Sequence, residues 1–217
     1  MNETKSLCIV VPYRNRETHL AEFLPHMHST LKSRNIDYHI LIVEQTYDKP
    51  FNRAKLLNVG FHVTKGIYDN YCMHDVDMLP VESIDYSYCD SPTHLAAHAE
   101  QFGWNTPYPE YFGGVTMFDK ESFVKINGYS NEYFGWGAED DDMFRRCVKH
   151  GIKPRRKACR FRSLSHERNI VQEQYGKNVN LLQGWENRAL TDGLNSLEYK
   201  VLDKIESENF TQVKVEI

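Results

Sequence analysis

The apolar positions change period along the chain, and over the first third they do so in a regular order. Leu7-Cys8-Ile9-Val10-Val11 is a continuous apolar run that stops at Pro12. A short run of this kind predicts a parallel strand buried on both faces. Residues 18–32 carry Leu20, Phe23, Leu24, Met27 and Leu31 at helical spacing, with Pro25 expected to disturb the helix. Residues 38–43 read as a second strand, residues 51–63 as a second helix and residues 67–73 as a third strand. This β-α-β-α-β order is the unit of a parallel sheet flanked by helices. Ligands bind such sheets beyond the carboxyl ends of the strands. Pro12-Tyr13-Arg14-Asn15-Arg16 and Asp75-Val76-Asp77 both lie there.

The second half is less regular. Residues 111–118 predict a strand entered through Gly113-Gly114, residues 120–126 a short helix and Asn127-Gly128 a turn. Residues 140–150 place Met143, Phe144, Cys147 and Val148 on one helical face and stop at Gly151, a glycine C-cap. Residues 160–165 read as a strand with His166 at its end. Residues 170–180 are polar without a clear period and are expected to form a mobile loop. Residues 210–217 alternate and predict an edge strand. No repeat or linker interrupts the chain, so residues 1–217 are expected to form one domain.

Composition narrows the class. Hydrophobic residues make up 41% of the 217, enough for a substantial core. The net charge of -4 argues against general nucleic-acid binding, which shows a basic excess. No apolar run approaches a membrane span, and residues 1–11 hold no signal-peptide core. Five cysteines without a CxxC argue against zinc; the spacing leaves a Cys72–Cys89 bridge open.

Two acidic clusters carry the candidate chemistry. Asp75 and Asp77 share one side of an extended segment, with Val76 opposite. Paired carboxylates of this kind bind magnesium or manganese together with a diphosphate; the bland alternative is a solvated acidic loop. Glu139-Asp140-Asp141-Asp142 follows Gly135-Trp136-Gly137 at a helix N-terminus, where the macrodipole favours the ionised form a general base needs. Capping explains one or two of these acids but poorly explains four. Trp136 is either a core anchor or a sugar-stacking platform. Arg14, Arg16 and Arg53 are placed to neutralise a diphosphate, although each alone reads equally well as surface charge. His166 is a candidate imidazole ligand; a lone histidine is more often structural.

These strings, with Phe51-Asn52-Arg53-Ala54-Lys55-Leu56-Leu57-Asn58-Val59-Gly60-Phe61, Tyr111-Phe112-Gly113-Gly114-Val115 and Asp192-Gly193-Leu194-Asn195-Ser196-Leu197, resemble the beta-1,4-galactosyltransferase family (glycosyltransferase family 7). The resemblance runs along nearly the whole chain. It implies an α/β GT-A glycosyltransferase fold, a Rossmann-like mixed sheet flanked by helices. It implies an enzyme that uses UDP-galactose as donor and Mn2+ and that inverts the anomeric carbon; Ser163 in place of a metal ligand leads to the further expectation that Mg2+ is tolerated. The acceptor is expected to be a sugar of the N-acetylglucosamine or xylose type. The resemblance places Pro12, Tyr13, Arg14, Arg16, Phe51 and Arg53 around the uridine and diphosphate, and Asp75 and Val76 near the ribose. It assigns Asp77 and His166 to the metal, Tyr111, Gly114 and Trp136 to the donor sugar, and Asp140 to the base, with Glu139 and Asp141 holding hydroxyls. The chain departs from the family at Ser163, where a third metal ligand, Met or His, is usual, at Gln101, where Lys is common, and over residues 170–180, the family's acceptor lid. UDP-GalNAc or UDP-glucose as donor, or a non-catalytic glycan-binding role, are the alternatives. The expected location is the cytoplasm for a full-length, bacterial-like protein and the Golgi lumen for a trimmed catalytic domain.

Overall fold

The computed structural model describes residues 5–34, 36–47, 49–166 and 170–217; residues 1–4, part of the segment read for a signal peptide, lie outside these. The first strand, β1 (Ser6–Tyr13), sits in the middle of an eight-stranded sheet. It pairs in parallel with β2 (Asp37–Gln45) and β3 (Asn70–His74). The helices α1 (Glu17–Lys32) and α2 (Arg53–Val63) make the two crossovers. The sheet splits its core by the period of two. Leu7, Ile9 and Val11 pack on the side of Phe23, Met27 and Leu31 from α1. Cys8 and Val10 pack on the other side with Leu56, Leu57 and Val59 from α2. Both faces are buried, so β1 has no polar position to alternate with.

Short strands β4 (Met78–Pro80), β5 (Thr93–His94) and β6 (His98–Ala99) follow β3. Then come β7 (Val115–Asp119), α3 (Lys120–Lys125) and α4 (Glu139–Lys149). The chain continues through β8 (Arg155–Arg156), β9 (Arg160–Ser163), α5 (Gln172–Gln183) and α6 (Trp185–Arg188), and ends on the hairpin β10 (Lys200–Glu206) and β11 (Thr211–Glu216). The main sheet runs β10-β11-β2-β1-β3-β7-β5-β8, and β4, β9 and β6 form a second, three-stranded sheet. Antiparallel β7 against β3 makes the large sheet mixed.

Four expectations are corrected. Residues 170–180 belong largely to a helix, α5, because Asn178 turns inward and donates to the carbonyls of Phe134 and Trp136 at 2.9 and 3.2 Å. The strand over residues 210–217 is internal rather than an edge, since β10 pairs outside it. Pro25 lies inside a continuous α1. Cys72 and Cys89 are free thiols, and Cys89 Sγ donates to Asn70 Oδ1 at 3.3 Å.

Several unusual strings serve the scaffold. Asn52 caps α2 by accepting from Lys55 N at 2.8 Å and donates to Asn131 O at 2.7 Å. Asn58 donates to Tyr129 O at 2.7 Å and accepts from Tyr129 N at 2.9 Å. Asp192 accepts from Asn131 N at 2.8 Å, and Asn131 donates to Gly193 O at 2.7 Å. Buried amides must find partners, and these satisfy one another across three distant segments. Arg146, fully buried, pairs with Asp142 on α4 and donates to Asp192 O at 2.7 Å.

Removing one member of a buried ion pair leaves its partner uncompensated, at a cost of about 3–5 kcal/mol. Arg146→Met is therefore expected to lower the unfolding free energy measured by urea titration by an amount of that order, and the midpoint with it. An unchanged midpoint would show that the Asp142–Arg146–Asp192 cluster does not hold α4 in place.

Candidate active site

The two acidic clusters meet at one guanidinium. Arg53, in the first turn of α2, donates from Nε to Asp75 Oδ1 at 2.6 Å. Its Nη1 lies 3.8 Å from Glu139 Oε1 at the start of α4. Gly114 O lies between these elements and accepts from Asp75 N at 3.0 Å and Arg53 Nη2 at 3.5 Å. Loss of water around Asp75, with Asp77 and Glu139 near, pushes its carboxyl up to about 6 against the pull of Arg53.

The four acids of α4 diverge. Glu139 faces Arg53. Asp140 rests against Gly113, where an added Cβ would lie 2.5 Å from Asp140 Oδ2 and 3.0 Å from Tyr111 Oη. A side chain at 113 would therefore displace the carboxylate. Burial, then Glu139 and Asp141, push Asp140 up to about 8, and Arg53 pulls it down. Asp141 accepts from Tyr108 Oη at 3.0 Å. Asp142 is fully buried in the Arg146 cluster. Burial and the charge of Asp140 raise Tyr111 above the usual tyrosine value, so its hydroxyl stays neutral.

Asp77 and His166 come together from different sheet elements. Leu164 N donates to Asp77 O at 2.8 Å, which sets the segment after β9 against the turn after β3. His166 Nε2 then lies 3.0 Å from Asp77 Oδ2, and Arg16 Nη2 lies 3.2 Å from His166 Nδ1. Arg16 can only donate, so Nδ1 accepts and Nε2 carries the hydrogen toward Asp77. One carboxylate and one imidazole fit a hard or borderline divalent cation that keeps waters and takes further oxygens from a phosphate. Among the described residues no group of three His, Cys, Asp or Glu is preassembled. Ser163 Oγ donates to Met78 Sδ at 3.7 Å.

The other candidates frame the same end of the sheet. Pro12 and Tyr13 end β1 and are buried. Arg14 Cζ stands 5.3 Å from the Phe51 ring centroid, and Arg14 Nη1 donates to Lys49 O at 2.8 Å. Val76 is buried in the core. Trp136 is about half exposed, which removes the core-anchor reading. Gly135 and Gly137 have φ of 73° and 99°, conformations that favour glycine. Gly135 N donates to Phe51 O at 2.7 Å, and the Trp136 ring lies 5.4 Å from that of Tyr175 on α5.

Profiles described as the N-terminal region of glycosyl transferase group 7 and the N-terminal domain of galactosyltransferase match residues 2–90 and 93–169. Human beta-1,4-galactosyltransferase 1 is 39% identical over 97% of this chain and 54% of its own length. Mouse beta-1,4-galactosyltransferase 2 is 36% identical over 98% of this chain and 60% of its own. The chain thus spans little more than half the length of these relatives. The catalytic domain of Drosophila beta-1,4-galactosyltransferase 7, solved with xylobiose, superposes with a TM-score of 0.83 at 30% identity, covering 98% of this chain and 94% of that one. A variant of it, solved with manganese, UDP-Gal and xylobiose, gives 0.81 at 29% identity, with 98% and 94% covered. The chain belongs to the beta-1,4-galactosyltransferase family. Its fold is the GT-A type.

Within this galactosyltransferase fold, two residues behind the site escaped the sequence reading. His94, kept neutral by burial that lowers it to about 4, donates from Nε2 to Gly113 O at 2.8 Å. Arg156 donates from Nε to His94 Nδ1 at 3.2 Å, and from Nη2 to Pro109 O at 2.9 Å and Tyr111 O at 2.6 Å. Arg156 thereby fixes the segment that carries Tyr108 and Tyr111, the partners of Asp141 and Asp140. A basic run such as Arg155-Arg156-Lys157 reads as surface charge; its aim at carbonyls far away in sequence leaves no local signal.

Leaving such carbonyls without a donor costs about 1–3 kcal/mol. Arg156→Ala is expected to raise the acceptor KM severalfold while the far-ultraviolet circular dichroism stays unchanged, with Arg156→Lys recovering part of the loss. Wild-type kinetics in Arg156→Ala would remove the positioning role.

Proposed function

We propose that this chain is an inverting, metal-dependent galactosyltransferase that moves galactose from UDP-galactose to a hydroxyl of a sugar acceptor, with residues 1–217 acting as one catalytic domain. The observation that carries the reading is Arg53 held between Asp75 and Glu139, which sets the Asp77–His166 pair and Asp140 at one end of the sheet. The Drosophila relative solved with manganese, UDP-Gal and xylobiose supports donor, metal and acceptor class together.

In this reading Asp77 and His166 hold Mn2+ or Mg2+, and Pro12, Tyr13, Arg14, Arg16, Phe51 and Arg53 surround the uridine and diphosphate. Bound there, the cation neutralises charge on the departing UDP. Asp75 and Val76 lie by the ribose, and Tyr111, Gly114 and Trp136 by the galactose. Glu139 and Asp141 accept hydrogen bonds from sugar hydroxyls. Asp140 takes the proton of the acceptor hydroxyl, whose oxygen attacks the anomeric carbon from the face opposite UDP. The bond to the diphosphate oxygen breaks with its electron pair leaving on UDP, and the configuration inverts. A base whose pKa lies near working pH suits this transfer.

A UDP-release assay tests the proposal across UDP-galactose, UDP-GalNAc and UDP-glucose, with N-acetylglucosamine and xylose glycosides as acceptors, with and without Mn2+. UDP-galactose with Mn2+ is expected to support turnover. Asp140→Asn should lower kcat by about 10²–10⁴-fold, the usual weight of a general base, and leave Mn2+ and UDP binding intact. Asp77→Asn should weaken Mn2+ binding measured by calorimetry. Full activity in excess chelator, or normal turnover by Asp140→Asn, contradicts the assignment.

A further inference from the structure

The eight-stranded sheet has two edges of different kinds. One is β8, two residues long. The other is β10, seven residues long and exposed at every residue. A strand edge presents unpaired N–H and C=O groups. β10 presents them beside open apolar side chains: Val201 is 45% exposed, Leu202 46% and Ile205 51%. Leu202 is the extra residue of a bulge, since Val201 faces Val215 and Asp203 faces Lys214. A bulge bends its strand and breaks the ladder, so the regular part of the edge starts at Asp203.

The hairpin fixes which backbone groups of that part point outward. Ser207 N donates to Phe210 O at 2.9 Å at the closing turn. Opposed residues of an antiparallel ladder alternate between bonded and non-bonded pairs. Glu206 stands opposite Thr211, Ile205 opposite Gln212 and Lys204 opposite Val213. Counting back from the turn, Ile205 and Asp203 bond to β11. Lys204 and Glu206 turn their N–H and C=O groups to the free side.

We infer that β10 is a dimerisation edge, joined antiparallel to β10 of a second copy of this chain about a two-fold axis through Ile205. Charge and hydrogen-bond parity select this register together. A symmetric antiparallel pair sets one residue opposite its own copy. Asp203, Lys204 or Glu206 in that place would bring like charges face to face, which destabilises a sheet. Ile205 is the uncharged residue of the segment 203–206. With Ile205 on the axis, Lys204 stands opposite Glu206 of the second copy, and Glu206 opposite its Lys204. These are the residues whose backbone groups point outward, so the register that matches the charges also lets each such pair exchange both hydrogen bonds. The two Ile205 residues then form a non-bonded pair, the kind in which side chains come closest. Lysine on an edge ordinarily blocks such pairing. Here Lys204 already pairs with Glu206 of its own strand at 2.5 Å, and the second copy closes a ring of four charges of alternating sign around the axis. The axis stands normal to the sheet, so the two candidate active sites lie at opposite ends of one continuous sheet.

Sedimentation velocity tests this over about 1–200 µM protein, a range that covers small interfaces. The wild type should shift from monomer toward dimer as its concentration rises. Lys204→Glu and Glu206→Lys each set like charges at both contacts. Each should weaken the dimer by about tenfold or more in Kd, while the far-ultraviolet circular dichroism and the melting temperature stay unchanged, since both side chains are exposed. An equimolar mixture of the two variants restores opposite charges at both contacts and should form a heterodimer of about wild-type strength. A wild type that stays monomeric at the top of the range overturns the inference. A dimer of wild-type strength in either single variant puts the interface on another face and overturns it too, as does a mixture no more dimeric than its components.

Discussion

The site depends on Arg53. Burial works against its charge, and Asp75, Tyr129 and Glu139 overcome that, holding its protonation well above the ordinary arginine value. Without this cation, Asp75, Glu139 and Asp140 would crowd negative charge into a partly dry space at large cost. With it, the strand end that offers Asp77 and the helix start that offers Asp140 are tied to one planar group. Arg53 itself is fixed by its neighbours. Asn52 caps α2 and anchors it to Asn131, which binds Gly193 and is bound by Asp192. The scaffold network and the charged site therefore join at one helix N-terminus.

The acidic run on α4 shows why a cluster is not a site until its members are separated. At 100° per residue, four successive side chains leave a helix in different directions. Glu139 meets Arg53, Asp140 meets Gly113 and Tyr111, Asp141 meets Tyr108, and Asp142 enters the core. Only Asp140 combines a strongly raised carboxyl with access to the end of the sheet.

The central strands were legible because burial on both faces leaves continuous apolar runs; such runs carry no alternation, so the register of β1 with β2 and β3 was not. The strand expected from residue 67 begins at Asn70, since Ile67 is 71% exposed beyond the sheet. β10 escaped because all its residues are exposed and nothing alternates. α5 escaped because its docking rests on Asn178 and on ring contact with Trp136, neither of which makes an apolar period. The strings at Asp75–Asp77 and Glu139–Asp141 pointed to the site through resemblance and composition. The pairing of Arg53 with both clusters, and the hold of Arg156 and His94 on the Tyr111 segment, arise between residues distant in sequence.

The pH dependence of kcat/KM in the wild type and in Glu139→Gln, at saturating Mn2+, tests the account most directly, because kcat/KM reports ionisations of the enzyme before the acceptor binds. The base is active when ionised, so kcat/KM should rise with pH, and its rising limb should lie well above an ordinary aspartate, toward about 8. Glu139→Gln removes a neighbouring negative charge that raises Asp140, so the limb should move to lower pH. A limb in the ordinary aspartate range, or one that stays in place in Glu139→Gln, would contradict the claim that Asp140 is the base and that the carboxylates around Arg53 set its ionisation.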